Sequence, residues 1–94
     1  MAVVRVPTPL QRLVGNQRSV SAAGATLAEL IDDLDRQYPG MRARLIDDQG
    51  RLLSFVNVFI NNEDVRFSQG LDTPVPVNAE VSIVPAMAGG TRAR

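Results

Sequence analysis

The sequence predicts an α+β domain in which one main helix lies across one face of a mixed sheet of four to five strands. Three observations carry this. An amphipathic helix with a complete N-terminal signal spans Thr26 to Tyr38. Two short apolar–polar segments before it are spaced as a hairpin, and two β-branched runs follow it. At 94 residues the chain has room for one core only.

The elements follow in order. Ala2-Val3-Val4-Arg5-Val6 is a β-branched run closed by Pro7 and Pro9, a first strand running into an irregular segment. Gly15-Asn16-Gln17 is turn-like, and Arg18 to Ala22 alternates polar with apolar, as a second strand returning beside the first. Thr26-Leu27-Ala28-Glu29 is a capping box, in which the Thr26 hydroxyl accepts from the Glu29 amide and the Glu29 carboxylate reaches back to the Thr26 amide. Leu27, Leu30, Ile31, Leu34 and Tyr38 form one apolar stripe, with Asp32, Asp33, Asp35 and Arg36 on a solvated face, and Pro39-Gly40 ends the helix.

Met41 to Ile46 is a short second helix, and Asp47 to Gly50 a turn. Phe55 to Ile60 is the strongest strand; its period of two sends Val56, Val58 and Ile60 to the core and Phe55, Asn57 and Phe59 to the other face. Asn61-Asn62 is a turn, Glu63 to Phe67 a short edge strand, and Ser68 to Asn78 an irregular connection. Val81 to Val84 is the last strand, ended by Pro85. A hairpin followed by a crossover helix invites parallel pairing of the first and last strands at the centre of the sheet. The expected division is a domain over residues 1–85 and a flexible tail over residues 86–94.

Composition narrows the function. Hydrophobic residues make 45% and charged residues 21%, the balance of a folded domain. Ten basic residues cancel ten acidic ones, which argues against binding nucleic acid or anionic membrane through bulk charge. No apolar run is long enough to span a membrane and no signal-peptide pattern opens the chain, so a cytoplasmic location is expected. The sequence has no cysteine, histidine or lysine. It therefore offers no thiol nucleophile, Cys/His zinc site, histidine base or Schiff-base amine. Asp47-Asp48 and Glu63-Asp64 sit beside turn signals, and the serines at 19, 21, 54, 68 and 82 have no histidine to activate them. No catalytic side chain and no bound metal or cofactor is expected; any chemistry belongs to a partner.

The remaining feature is Ala88-Gly89-Gly90 just beyond the last strand. Glycine has no Cβ, so such an end can thread a narrow channel and present a carboxylate to another protein's active site. An incidental pair of glycines in a frayed end is the plain alternative.

The order of elements, ending in Val-Pro-Ala-Met-Ala-Gly-Gly, resembles the β-grasp, ubiquitin-like ThiS/MoaD family of sulfur carriers. Phe55 to Asn61, Glu63 to Ser68 and Ala86 to Gly90 are most similar to the CysO-type branch, which serves cysteine biosynthesis. The likeness spans residues 3 to 90. It implies that Gly90 is the group adenylated and converted to a thiocarboxylate, with Gly89 and Ala88 threading the tail. It also implies three partners. One is a ThiF/MoeB-like adenylating enzyme that uses ATP and magnesium. The second is a JAMM-type zinc metalloprotease, and the third a PLP-dependent, cysteine synthase-like sulfur acceptor. Thr91-Arg92-Ala93-Arg94 follows Gly90, a departure from the family's simplest pattern. It resembles a precursor extension over 91–94, removable by cleavage between Gly90 and Thr91; an extension added by cloning is the alternative.

Two further points stay open in the sequence. Phe59 and Val84 on the uncovered sheet face, continuous with Met87, can make an apolar partner-binding patch, unless a loop folds over them. And the same activation also suits a ubiquitin-like modifier joined through Gly90 to lysines of other proteins, since an acyl adenylate reacts with whichever nucleophile is delivered. A plain interaction module is the third reading.

Overall fold

The structure, a computed structural model, describes residues 1–85. Strands β1 (Ala2–Arg5) and β2 (Ser19–Ala22) form the first hairpin, and the helices α1 (Leu27–Gln37) and α2 (Met41–Leu45) follow. Strands β3 (Val56–Ile60), β4 (Glu63–Asp64) and β5 (Glu80–Pro85) complete a five-stranded sheet of order β2-β1-β5-β3-β4. β5 runs parallel to β1 and antiparallel to β3, so the last strand fills the middle of the sheet, as the hairpin–helix order predicts.

The register explains the core. Val4 faces Val81 across the parallel pair, and Val81 and Ile83 face Ile60 and Val58 across the antiparallel one. These side chains share one face, against which Leu27, Leu30, Ile31 and Leu34 of α1 pack; all nine are buried. Met41 and Leu45 of α2 extend the same core, while Tyr38 packs on its border.

The entry to α1 differs from the expected capping box in one bond. The Thr26 hydroxyl accepts from the Glu29 amide at 3.4 Å, as expected. The Glu29 carboxylate, however, accepts from the amide of Ala25 at 3.0 Å, not that of Thr26. Thr26 is bridged to Pro74, with Leu27 N–H donating to Thr73 O and Val75 N–H to Ala25 O, and this holds the incoming backbone extended. The amide within reach is then that of Ala25.

Nor is the acidic face of α1 simply solvated. Asp33 accepts from the Ala23 amide and from the Arg36 and Gln37 side chains at 2.9–3.0 Å, tying the helix to the end of β2. Asp35 accepts from the amides of Gly40 and Arg42, both at 3.1 Å, which caps α2. Gly40 at that N-cap has φ 102°, a conformation that disfavours a side chain.

Two segments depart from the sequence reading. The stretch after Pro7 is a 3-10 helix over Thr8–Val14, with proline in its first turn and Val14 buried. The expected edge strand over Glu63 to Phe67 stops at Asp64, whose carboxylate accepts from the Arg66 amide at 2.9 Å. That bond starts a 3-10 turn over Val65–Phe67 and turns Val65 into the core.

Close packing around Gly24 gives the first prediction. A Cβ there would lie 2.8 Å from the Leu30 Cα, against helix backbone that cannot give way locally. Gly24→Ala should destabilise by about 1–3 kcal/mol through overpacking. Leu30→Ala should cost about 2–5 kcal/mol through the cavity it leaves. Denaturant unfolding measures both; wild-type midpoints would contradict the packing described.

Asp33 gives the second. The Ala23 amide first, then Arg36 and Gln37, hold its carboxyl below the ordinary value of 3.8. A lowered folded pKa contributes stability that is complete above the unfolded value and is lost as pH falls through the folded one. Asp33→Asn should therefore lower the melting temperature at neutral pH, and the gap from wild type should close in acid. A gap independent of pH would contradict it.

Candidate functional site

β5 leads the chain out of the sheet, and Pro85, its last residue, is paired with Val56. Along β5 the alternation is strict: Val81 and Ile83 point into the core, while Glu80, Ser82 and Val84 point to the face that α1 does not cover. Opposite them, Phe59 pairs with Ser82 and Asn57 with Val84, so Phe59 and Val84 are diagonal neighbours on this open face. The structure thus brings together the two patch residues predicted within the described region. Val84 is 43% exposed and Phe59 half-buried.

Sequence reasoning missed what surrounds them. The Arg66 guanidinium, from the 3-10 turn after β4, donates to the Asn57 side-chain oxygen and, at 2.7 Å, to the Leu53 carbonyl. Asn57 therefore has a partner, and the Arg66 side chain reaches across the end of the face beside β3. The only sequence signal was Asn57 itself, a polar residue in an otherwise apolar strand. On β1, Val3 is also exposed, and Arg5 forms an ion pair with Glu80. The open face is thus two apolar spots, Val3 and Phe59–Val84, separated by an ion pair and Ser82.

Phe55 requires a correction. The alternation places it on the open face with Phe59, but β3 starts one residue later, at Val56. Val56 N–H donates to Leu53 O at 3.1 Å, so Ser54 and Phe55 belong to a turn and Phe55 leaves the strand's alternation. It lines a hollow at the end of the sheet together with Pro85.

The carboxylates do turn work. Asp47 accepts from the amides of Gln49 and Arg51 at 2.9 and 3.0 Å, and the Arg51 amide foremost holds its carboxyl below the ordinary range. Asp64 caps the next turn in the same way. Among the described residues no group of three or more His, Cys, Asp or Glu side chains is placed to hold a metal ion. No described helix is long and apolar enough to cross a membrane. Met87, Ala88, Gly89, Gly90 and Thr91, the predicted patch extension, threading residues, sulfur-carrying end and cleavage site, lie outside the described residues.

A small mixed sheet grasping one main helix, with its last strand at the centre, defines the β-grasp, ubiquitin-like class of fold, here followed in sequence by a diglycine. The model of the ThiS family matches residues 4–90, and the chain belongs to that family. It is 48% identical over 89 residues to the sulfur carrier protein CysO of Mycobacterium tuberculosis, covering 93% of this chain and 96% of that protein. The crystal structure of the BexX/CysO complex of Amycolatopsis orientalis contains a chain that superposes with a TM-score of 0.90 at 43% identity, over 96% of this chain and 100% of that one. The small archaeal modifier protein 3 of Haloferax volcanii is 35% identical over 66 residues, covering 70% of this chain and 71% of that protein. The chain is a homologue of the sulfur carrier CysO, a class of small carriers rather than enzymes.

Proposed function

We propose that Gly90, once residues 91–94 are removed, is adenylated and converted to a thiocarboxylate that donates sulfur in cysteine biosynthesis. The observation that carries this is the extent of the family match, which runs to residue 90 and so takes in the whole diglycine but not the four residues after it. β5 supports it by leading the chain from the centre of the sheet towards that end.

The chemistry follows from the carboxylate's inertness. Its oxygens are poor leaving groups, so sulfur cannot displace them directly. The Gly90 carboxylate attacks the α-phosphorus of ATP on a ThiF/MoeB-like enzyme with magnesium, and pyrophosphate leaves. Hydrosulfide then adds to the acyl carbon, AMP departs and a proton is released, leaving the thiocarboxylate. The JAMM-type metalloprotease acts first, because in the uncut chain the Gly90 carbonyl is tied up in a peptide bond. Cleavage also changes the formal side-chain balance from zero to minus two by removing Arg92 and Arg94. The acceptor is an activated serine-type substrate on a PLP-dependent cysteine synthase. That the related CysO was crystallised in a complex with BexX supports a carrier that works docked on partner proteins. The Phe59–Val84 face is the surface offered to them.

The similarity to a small archaeal modifier protein favours one second reading, conjugation through Gly90 to lysines of other proteins. The two readings share the adenylate and part at the nucleophile.

The trimmed chain, incubated with the activating enzyme, ATP, magnesium and sulfide, should gain the mass difference between sulfur and oxygen at its terminus. Gly90→Ala should abolish that gain without shifting the melting temperature, since a methyl group is added where the channel is narrowest. The uncut chain should not react. Recovery of Gly90 only as isopeptides with lysines of other proteins would replace the carrier with the modifier.

A further inference from the structure

Beside the end of β5 lies a hollow of about 190 Å³, walled by Pro7, Pro9, Leu10, Phe55 and Pro85, with Arg44 of α2 at its rim. Two larger hollows are lined mainly by carboxylates, arginines and turn residues, and a third, which also borders Phe55, mixes Leu52 and Leu53 with Asp47, Arg51 and Arg66. We infer that this groove is a docking site for the activating enzyme: it seats an aliphatic side chain from the mouth of the enzyme's tail channel, while a carboxylate on the same mouth pairs with Arg44.

The inference rests on the carrier reading above and on three observations. The first is reach. Gly90 lies five residues beyond Pro85, and five extended residues span at most about 18 Å. An enzyme that closes on the Gly90 carboxylate is therefore drawn up to the end of β5, where the groove opens. The second is exposure: Phe55 leaves 57% of its surface in water although it sits beside the core. An aromatic in that condition, rimmed by polar groups, is the kind of anchor that protein interfaces bury. The third is charge. Arg44 is exposed and, like Arg12, Arg18, Arg51 and Arg66, has no carboxylate partner among the described residues, and it is the one arginine that lines this groove. A free guanidinium at an apolar rim fits a partner carboxylate, which it can hold with two parallel hydrogen bonds.

Val56 and Ile83, which also line the groove, belong to the face covered by α1, whereas Phe59 and Val84 lie on the open face.

The test uses the chain trimmed at Gly90 with its activating enzyme, titrating carrier in ATP–pyrophosphate exchange. Phe55→Ser and Arg44→Glu should each raise the KM for the carrier about tenfold or more, as for loss of an interface anchor. The kcat should stay within about twofold, because neither group touches the reacting atoms. Arg44→Lys, which keeps the charge and loses the fork, should fall between. Both main variants should keep the wild-type melting temperature. Exchange with the unaltered carrier but unchanged KM in both variants would overturn the groove alone. A fall in KM in Phe55→Ser would mean that the groove holds the chain's own tail, and overturns it too. No exchange even with the unaltered carrier would defeat the carrier reading and the groove with it.

Discussion

The parallel pairing of β5 with β1 at the centre of the sheet is the constraint on which the rest of the molecule depends. It places Val81 between Val4 and Ile60, so that one row of β-branched side chains crosses three strands under α1. A parallel pair needs a long crossover, and here α1, α2 and the β3–β4 ribbon lie along the path between the two strands. The same pairing sends the end of the chain out from the middle of the sheet rather than from an edge. A chain that had not docked β5 would lack both a complete core and the central strand from which it leaves the sheet.

Division of labour between the faces follows from strand alternation. The inner residues of β5 pack under the helix; the outer ones, with Phe59, Val3 and the Arg5–Glu80 pair, lie on the face that α1 does not cover. The polar side chains that could have suggested catalysis are occupied in holding the frame. Asp33 joins α1 to β2, Asp35 caps α2, Asp47 and Asp64 shape turns, and Arg66 fastens Asn57 to the loop before β3. A frame whose polar side chains serve its own fold in this way suits the carrier role proposed for Gly90.

Much of this was legible in the sequence because its signals are local. The stripe from Leu27 to Leu34, the Thr26 cap and the alternation of β3 and β5 each depend on neighbours within a few residues, and each appears in the structure. What was not legible depends on contacts distant along the chain or on where an element begins. Glu29 bonds Ala25 because Thr73 to Val75, far along the chain, fix the entry to the helix. Phe55 left its predicted face because alternation gives no starting residue for a strand. Arg66 could not be paired with Asn57, nor Arg44 placed beside Phe55, before the elements were assembled in space. The carrier end was read from the diglycine and from family resemblance, and Gly90 lies outside the described residues. Its role is therefore a matter of chemistry to be measured.

The central claim is that Gly90 becomes a sulfur-bearing terminus. The intact mass of the chain isolated from its own cell tests this most directly, because processing, sulfur loading and conjugation each leave a distinct mass. The account predicts a species ending at Gly90, part of it with one terminal oxygen replaced by sulfur. Finding only the uncut chain of 94 residues, or Gly90 only in linkage to lysines of other proteins, would contradict it.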